Sequence, residues 1–417
     1  MVRQDLGQGT RPIRCLLRYA LSMPATPLPL SRRLGLGAAS LAIATAIWLP
    51  CLHLVYAPSA AAGSVPARAQ RMAARQLELF RDQESHEREA GRMRRSNPEW
   101  DFMGRTFLVY ALADLALRDP AGKARHLEAI DRILDDTLRL EREQGLYYFL
   151  MPYARHGEFV ISPARSQFLD GEIALMLGLR RLLGERPGDK ARLTERVEAM
   201  IGRMEKSPVL SAESYPDECW TFCNALALAA IKAADVLDGT DHTAFFRAWI
   251  EAAKARLVEP TTGLLISSYT LDGRMKDGPE GSSLWMSAHA LRVIDPAFAE
   301  DQYRRAKKEL GRTILGFGYA REWPSSHRGP ADVDSGPVIP GLDVSGGSSG
   351  LALVAASSFG DRDYFAALGA TLDFAAFPTE RDGRLSYAAS NQVGDAVMLY
   401  SMVLGPMWSA LEESRRP

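Results

Sequence analysis

Four cysteines in 417 residues are too few for a scaffold built on disulfides. Two of them, Cys15 and Cys51, lie in or before a long apolar segment, so the body of the chain keeps only Cys219 and Cys223. The seven histidines are scattered, no pair of them joins the cysteines at zinc-ligand spacing, and so no metal is expected. Positive charge is not in excess either. The formal net charge is −1 with no long basic block, which removes the usual reason to expect a nucleic-acid partner. Short charged runs such as "REAGRMRR" at residues 88–95 read as solvated helix faces. No phosphate-cradling glycine pattern, GxSxG or HExxH occurs.

Charge is missing altogether from residues 34–57, "LGLGAASLAIATAIWLPCLHLVYA", which is about the length needed to cross a hydrocarbon layer as a helix. Arg32 and Arg33 stand directly before it, with Arg3, Arg11, Arg14 and Arg18 further upstream. The positive-inside rule then places residues 1–33 in the cytoplasm and everything after residue 57 on the periplasmic or extracellular side of an inner membrane. The small residues of "APSAAAG" at 57–63 suit signal-peptidase cleavage, so an anchored and a released form both remain open, and Met23 is an alternative start. Residues 58–69 read as a small-residue linker and 70–417 as one folded domain.

Within that domain nearly every segment follows the 3.6-residue period of a helix, and strand signals are rare. Two characters alternate. Charged, amphipathic stretches cover roughly 70–95, 123–144, 190–206, 241–258, 296–312 and 362–377; between them lie apolar stretches rich in small residues, "FLVYALADLAL", "EIALMLGL", "ALALAAIKAA", "LWMSAHAL", "GLALVAASS" and "AVMLYSMVLG". A helix apolar on most of its faces must be buried all round. About twelve helices in two such sets predict an all-α fold, an (α/α)6 toroid in which six inner helices stand inside six outer ones. Connections alternate as well: short turns such as "RDPAG" and "DGTD" follow the inner helices, whereas long Gly-, Pro- and aromatic-rich stretches precede them, as at 145–163, 207–216, 259–282 and 316–345. Loops too long to be connectors usually carry function, so a cavity is expected where the inner helices begin.

One of these helix starts is "SYPDECWTFCNALALAAIKAADVL" at 214–237, which reads as a helix from Pro216. A cap accounts for Asp217; it leaves Glu218, Cys219, Trp220, Cys223 and Asn224 unexplained. Glu218 is the leading acid/base candidate, because a carboxyl beside aromatic groups in a closed cavity tends to have a raised pKa. Cys219 and Cys223, four apart, would share a helix face, either as pocket thiols, as small hydrophobes or at the edge of disulfide reach. Tyr215, Asp217, Trp220 and Asn224 are candidates for orienting a substrate. Elsewhere, "ISPARSQFLDGEIAL" offers Arg165, Asp170 and Glu172, "LWMSAHAL" offers Trp285 and His289, and the glycine-rich stretch 318–350 offers Trp323, His327, Asp332 and Asp334 as a wall or lid. Against these stand plainer roles: capping for Asp217, packing for the tryptophans, a satisfied core position for His289.

With a toroid in view, "YPDECWTFCNALALAA", "ISPARSQFLDGEIAL" and "DVDSGPVI" resemble the corresponding stretches of proteins carrying a linalool dehydratase/isomerase-like domain, over roughly residues 97–411. The resemblance implies an α/α six-hairpin toroid that needs no cofactor, and a family enzyme that protonates a tertiary allylic alcohol and removes water with cysteines, a glutamate, a tyrosine, a histidine and an aspartate. Only Glu218, Cys219 and Cys223 match positions of that kind here. Glu218 precedes its cysteine and the thiols are four apart, which departs from the family arrangement, so the fold and the cavity carry over and terpene dehydration does not. Three functions follow as alternatives: an anchored, cofactor-independent lyase or isomerase working on a small molecule; a glycoside hydrolase or polysaccharide-processing enzyme; and a non-catalytic membrane-anchored binding protein. Fold alone does not choose among them.

Overall fold

The computed structural model describes residues 29–56, 65–327, 329–330 and 332–413, in two units divided after Leu52. The first unit carries α1 (Leu30–Trp48); a 3-10 turn over Leu49–Val55 follows and crosses the division. Residues Leu30–Val55 are long and apolar enough to cross a membrane, a property that a secretory signal shares. The expected cytoplasmic residues 1–28 lie outside the described residues.

The second unit is the toroid. Its inner helices are α4 (Pro98–Arg118), α6 (Gln167–Leu183), α8 (Thr221–Asp238), α10 (Gly281–Leu291), α12 (Gly346–Ser358) and α14 (Gln392–Val403). Each packs on the next, and α14 packs back on α4, so the six close a ring. Around them stand α2 (Ala67–Arg81) with α3 (Gln83–Ser96), then α5 (Lys123–Gln144), α7 (Asp189–Met204), α9 (Thr243–Arg256), α11 (Pro296–Glu309) and α13 (Arg362–Ala375); α15 (Pro406–Glu413) follows the ring. The first outer segment is therefore two helices. Asp82, at φ −89° and ψ 97°, leaves the helical region and breaks the stretch that the sequence predicts as one, and α2 begins inside the expected linker.

Small residues in the inner ring let helices approach closely. A Cβ on Gly171 of α6 would stand 3.2 Å from the backbone nitrogen of Ala227 in α8, and one on Gly178 would stand 3.0 Å from Cβ of Ala233. Both glycines lie on one helix face, two turns apart. Gly171→Val is expected to cost about 1–3 kcal/mol of stability through overpacking against backbone that cannot move aside, measured by chemical unfolding; an unchanged midpoint would show that the two helices can part freely.

The ring is clasped where its ends meet. Gln392, at the start of α14, donates from Nε2 to the carbonyl of Gly104 in α4 at 3.1 Å and to Oε1 of Gln76 in α2 at 3.2 Å. Gln76 returns a bond to the Gln392 carbonyl at 3.3 Å.

The long connections hold short antiparallel strands that the helical periodicity does not announce. β1 (Cys219–Trp220), β2 (Ser268–Tyr269) and β3 (Met275–Asp277) form one small sheet; β4 (Gly311–Ile314) and β5 (Phe317–Ala320) form a hairpin; β6 (Asp332–Val333), β7 (Gly336–Ile339) and β8 (Val344–Ser345) form a third sheet, and β9 (Pro378–Arg381) pairs with β10 (Arg384–Tyr387).

Candidate active site

A cavity of about 940 Å³ opens where the inner helices begin. All six contribute their first turns: Glu99 and Trp100 from α4, Phe168 from α6, Phe222 and Cys223 from α8, Ser282 and Ser283 from α10, Gly346 and Gly347 from α12, Val393 and Gly394 from α14. Helix N-termini converge on one space, each with the positive end of its dipole.

The stretch around Glu218 is not the helix start that its sequence suggests. Tyr215 and Glu218 close a tight turn, Glu218 N donating to the Tyr215 carbonyl at 2.9 Å, with Asp217 at φ +50° in the left-handed conformation that aspartate tolerates. Cys219 and Trp220 then pair with Tyr269 and Ser268, and α8 begins only at Thr221. Asp217 is thus an exposed turn residue rather than a cap. Because strand side chains alternate, Glu218 and Trp220 face the cavity while Cys219 faces away, and the two thiols do not share a helix face. Cys219 and Cys223 are free and buried; Cys223 alone lines the cavity. Burial pushes both thiols up, so both are protonated at neutral pH.

Glu218 is firmly held. Oε1 accepts from Trp220 Nε1 at 2.5 Å and from the Tyr153 hydroxyl at 3.3 Å, and Oε2 meets Lys276 Nζ at 3.0 Å. A second carboxyl, which the sequence did not single out, is placed differently. Glu99 sits in the first turn of α4, whose cap is Asn97: the Asn97 Oδ1 accepts from Glu99 N at 2.8 Å. Glu99 faces the cavity and receives one bond, from the Tyr215 hydroxyl, which itself accepts from Met151 N at 3.0 Å. Desolvation by the surrounding protein pushes the Glu99 carboxyl up to about 8; Tyr215 opposes the rise, while Asp334 and Glu218 add to it. Tyr215 stacks on Tyr153 with ring centres 4.8 Å apart, so the two tyrosines link the two glutamates.

Across the cavity mouth Glu280 precedes α10, and burial pushes its carboxyl well up, with Glu322 and Asp277 adding to the effect. Glu322 is a fastener: it accepts from Ser282 N at 3.0 Å and from the Ser345 hydroxyl at 2.6 Å, tying the β6–β7–β8 sheet to α10. Asp334 lines the cavity, and its carbonyl accepts from Asn97 Nδ2 at 2.8 Å and Trp100 Nε1 at 3.2 Å. Trp323 lines the same wall. The side chain of Asp332 lies outside the described residues.

The remaining candidates stand elsewhere. Arg165 grips Asp170 through two bonds of 2.8 and 2.6 Å, and Arg196 reaches the same carboxylate at 2.6 Å, so this pair ties α6 to α7 and does not line the cavity. Asn224 clamps Ala212 from both sides, accepting from its N–H at 2.9 Å and donating to its carbonyl at 3.1 Å. Trp285 is buried and donates to the Ser348 hydroxyl at 3.0 Å. Glu172 is buried beside Tyr110, which donates to it, and burial pushes its carboxyl up to about 7. His289 is a core residue, bonded to Ser358 at 2.7 Å and Tyr400 at 2.8 Å. Among the described residues no group of three or more His, Cys, Asp or Glu is placed to hold a metal ion.

These raised carboxyls fix a sign for stability against pH. Glu99, pushed to about 8, and Asp114, Glu172 and Asp395, each pushed to about 7, hold protons in the folded protein that the unfolded chain releases near pH 4. The stability they contribute is fully present below that point and is lost as pH rises toward 7 to 8. Melting is expected several degrees lower at pH 8 than at pH 5; a flat or rising midpoint would contradict the enclosed environments assigned to these groups.

Residues 189–393 match the family model of linalool dehydratase/isomerase. Over these residues, just under half of its length, the chain is similar to that family. Glu218, Cys223, Glu280 and Asp334 lie within the matched residues, and Glu99 lies ahead of them. The chain is also similar to the solved structure of a GH76 alpha-mannanase from Bacteroides thetaiotaomicron, with 11% identity over 75% of this chain and 86% of that one and a TM-score of 0.48.

Proposed function

We propose that the protein is an acid/base enzyme of lyase or isomerase type, linalool dehydratase/isomerase-like, exported and held at a membrane by Leu30–Val55, which acts on a small alcohol in the cavity. One observation carries the reading: Glu99, pushed to about 8, is a neutral acid at pH 7 and faces a cavity whose lining is largely apolar. A neutral carboxyl can give its proton to a hydroxyl group, which then leaves as water. The electron-poor carbon left behind meets the aromatic faces of Trp100, Trp220 and Phe168 and the negative field of Glu218 and Asp334. Glu99, now ionised, or Glu218 takes a proton from a neighbouring carbon to close the double bond. The reverse order adds water back and accounts for isomerisation. Tyr215 holds Glu99 in position, and Cys223 supplies a neutral, polarisable wall.

The carboxyl groups would equally serve a glycosidase, and the aromatic residues would suit sugar stacking. Against that, the α13 and α14 side of the cavity is mainly apolar, with Leu368, Leu372, Val397 and Met398, and offers a ring of hydroxyls only the side chains of Thr371, Ser390 and Asn391. The test incubates the full chain in lipid nanodiscs with linalool and a panel of tertiary and secondary alcohols, alongside aryl glycosides, and follows loss of water by gas chromatography. Turnover of an alcohol is expected, with an alkaline limb of kcat/KM near pH 8, where Glu99 loses its proton. Glycoside cleavage without alcohol turnover would replace the proposal.

A further inference from the structure

The toroid carries a set of exposed apolar residues that neither the cavity nor the core accounts for. At the β4–β5 turn Ile314 and Leu315 are 45% and 44% exposed, and at the end of α13 Phe374 and Phe377 are 49% and 63% exposed. They form one face. The Phe317 and Phe374 rings stand 5.3 Å apart, bringing the hairpin and the helix end together. Contiguous exposed apolar groups of this size mark contact surfaces for a partner or a membrane.

What covers this face is indicated by the chain that enters it. Tyr56 packs its ring against Phe374 at 5.5 Å and Phe317 at 6.2 Å. His53 meets Phe317 at 6.3 Å and lies so close to Gly316 that a Cβ there would stand 2.2 Å from the imidazole. Tyr56 directly follows Val55, the last residue of the segment long and apolar enough to cross a membrane. A chain leaving a bilayer at Val55 therefore reaches the apolar face within one residue. A tyrosine at that point suits the headgroup level, where amphipathic rings collect.

We propose that this face, Ile314, Leu315, Phe374 and Phe377, seats in the lipid bilayer that holds the apolar segment. The inference rests on the anchored enzyme proposed above and gives it a supply route. The helix that carries Phe374 outward lines the cavity with Leu368, Thr371 and Leu372, and β5 lines it with Gly318. The wall of the cavity and the membrane-seated face are two sides of the same hairpin and helix. A small apolar alcohol dissolved in lipid then stands beside the cavity it enters, and its concentration in the membrane, rather than in water, sets the occupancy of the site.

The experiment uses the full chain in phosphatidylcholine nanodiscs with Cys15→Ser and Cys51→Ser, leaving the buried Cys219 and Cys223 in place. Single cysteines are introduced by Leu315→Cys, Phe377→Cys, Ala42→Cys in the middle of α1, and Asp241→Cys in the exposed turn between α8 and α9, and each is labelled with a nitroxide. Oxygen concentrates in lipid and a nickel chelate stays in water, so the ratio of their relaxation effects reads immersion. Labels at 315 and 377 are expected to give oxygen-to-nickel ratios several-fold above the label at 241 and close to that at 42. Ratios at 315 and 377 matching 241 would overturn the seating, while a label at 42 reading lipid would show that the anchor itself stands. Exclusion of both agents from 315 and 377 would mean that a second copy covers the face, and would also overturn it. A label at 42 reading water would remove the anchored form and the seating together. None of these readings depends on turnover, so the acid/base proposal succeeds or fails separately.

Discussion

Glu99→Gln is expected to lower kcat by about 10²- to 10⁴-fold, the usual contribution of a positioned general acid, with the fold intact. Glutamine keeps the size of the side chain and can still accept from the Tyr215 hydroxyl, so the Glu99–Tyr215–Tyr153–Glu218 chain loses no member. What it removes is the only proton that this position can give. Because Glu99 is neutral at pH 7, the substitution changes no charge there, and the surrounding field is preserved. Above pH 8 the wild-type carboxyl is ionised in an environment that disfavours charge, so the variant is expected to be the more stable protein in that range. Parallel kinetics and melting curves at pH 6 and pH 9 check both halves. A variant with full turnover would pass the acid role to Glu280, the other cavity carboxyl that burial pushes up.

The largest loss of stability is expected from Glu213→Ala, about 3–5 kcal/mol out of a total that is commonly about 5–15 kcal/mol. Glu213 is fully buried and its carboxylate accepts three backbone amides, from Val160 at 2.8 Å, Ile161 at 2.9 Å and Asp217 at 2.9 Å. The guanidinium of Arg203 stands 3.8 Å away, buried as well. Alanine leaves the three amides without their acceptor and the guanidinium without its counter-charge, and an unsatisfied buried donor costs more than the bond it made was worth. The amides come from the stretch before α6 and from the turn that presents Glu218, so the damage spreads to the cavity wall. Urea unfolding of the full chain in detergent, with Glu213→Gln as the milder companion, gives the number. Losses below about 1 kcal/mol in both would mean that water replaces the carboxylate without penalty.

Much of the ring was legible because burial writes itself into composition. Inner helices such as "ALALAAIKAA" cannot show a polar face when neighbours cover every side, and outer helices must show one, so their alternation gives the hairpin order directly. The break at Asp82 was not legible, since the charged residues on both sides fit either one helix or two. The start of α8 was misplaced for a different reason. "YPDECW" has the composition of a capped first turn, but its backbone is claimed by pairing with Ser268 and Tyr269, some fifty residues on, and a local pattern cannot announce a partner at that separation. Asp170 and Glu172 drew attention as charges ahead of an apolar run; one is neutralised by Arg165 and Arg196, the other by Tyr110 and a raised pKa. Glu99 and Glu280 were passed over because each looks like an ordinary acidic residue in a first turn. A signal was present: "PE" at 98–99, "PDE" at 216–218 and "PE" at 279–280 each set an acid after a proline at or just before the start of an inner helix, and the cavity gathers a glutamate from each.

The clasp of Gln392 on Gly104 joins residues 288 apart in the chain. Until α14 has been made, α4 has an open flank, and Phe107 and Tyr110, which stand 6.0 and 5.7 Å from the Tyr400 ring, have nothing from that side to cover them. The order of synthesis is therefore unfavourable to this fold, whether the chain emerges from a ribosome or through a translocon: the earliest inner helix waits longest for its partner. Non-local closure of this kind is slow, and the waiting surface is sticky. A nascent chain interrupted anywhere before residue 403 presents an unsealed seam rather than a smaller working domain, which makes it a natural client for a holding chaperone and a poor candidate for trimming into α14.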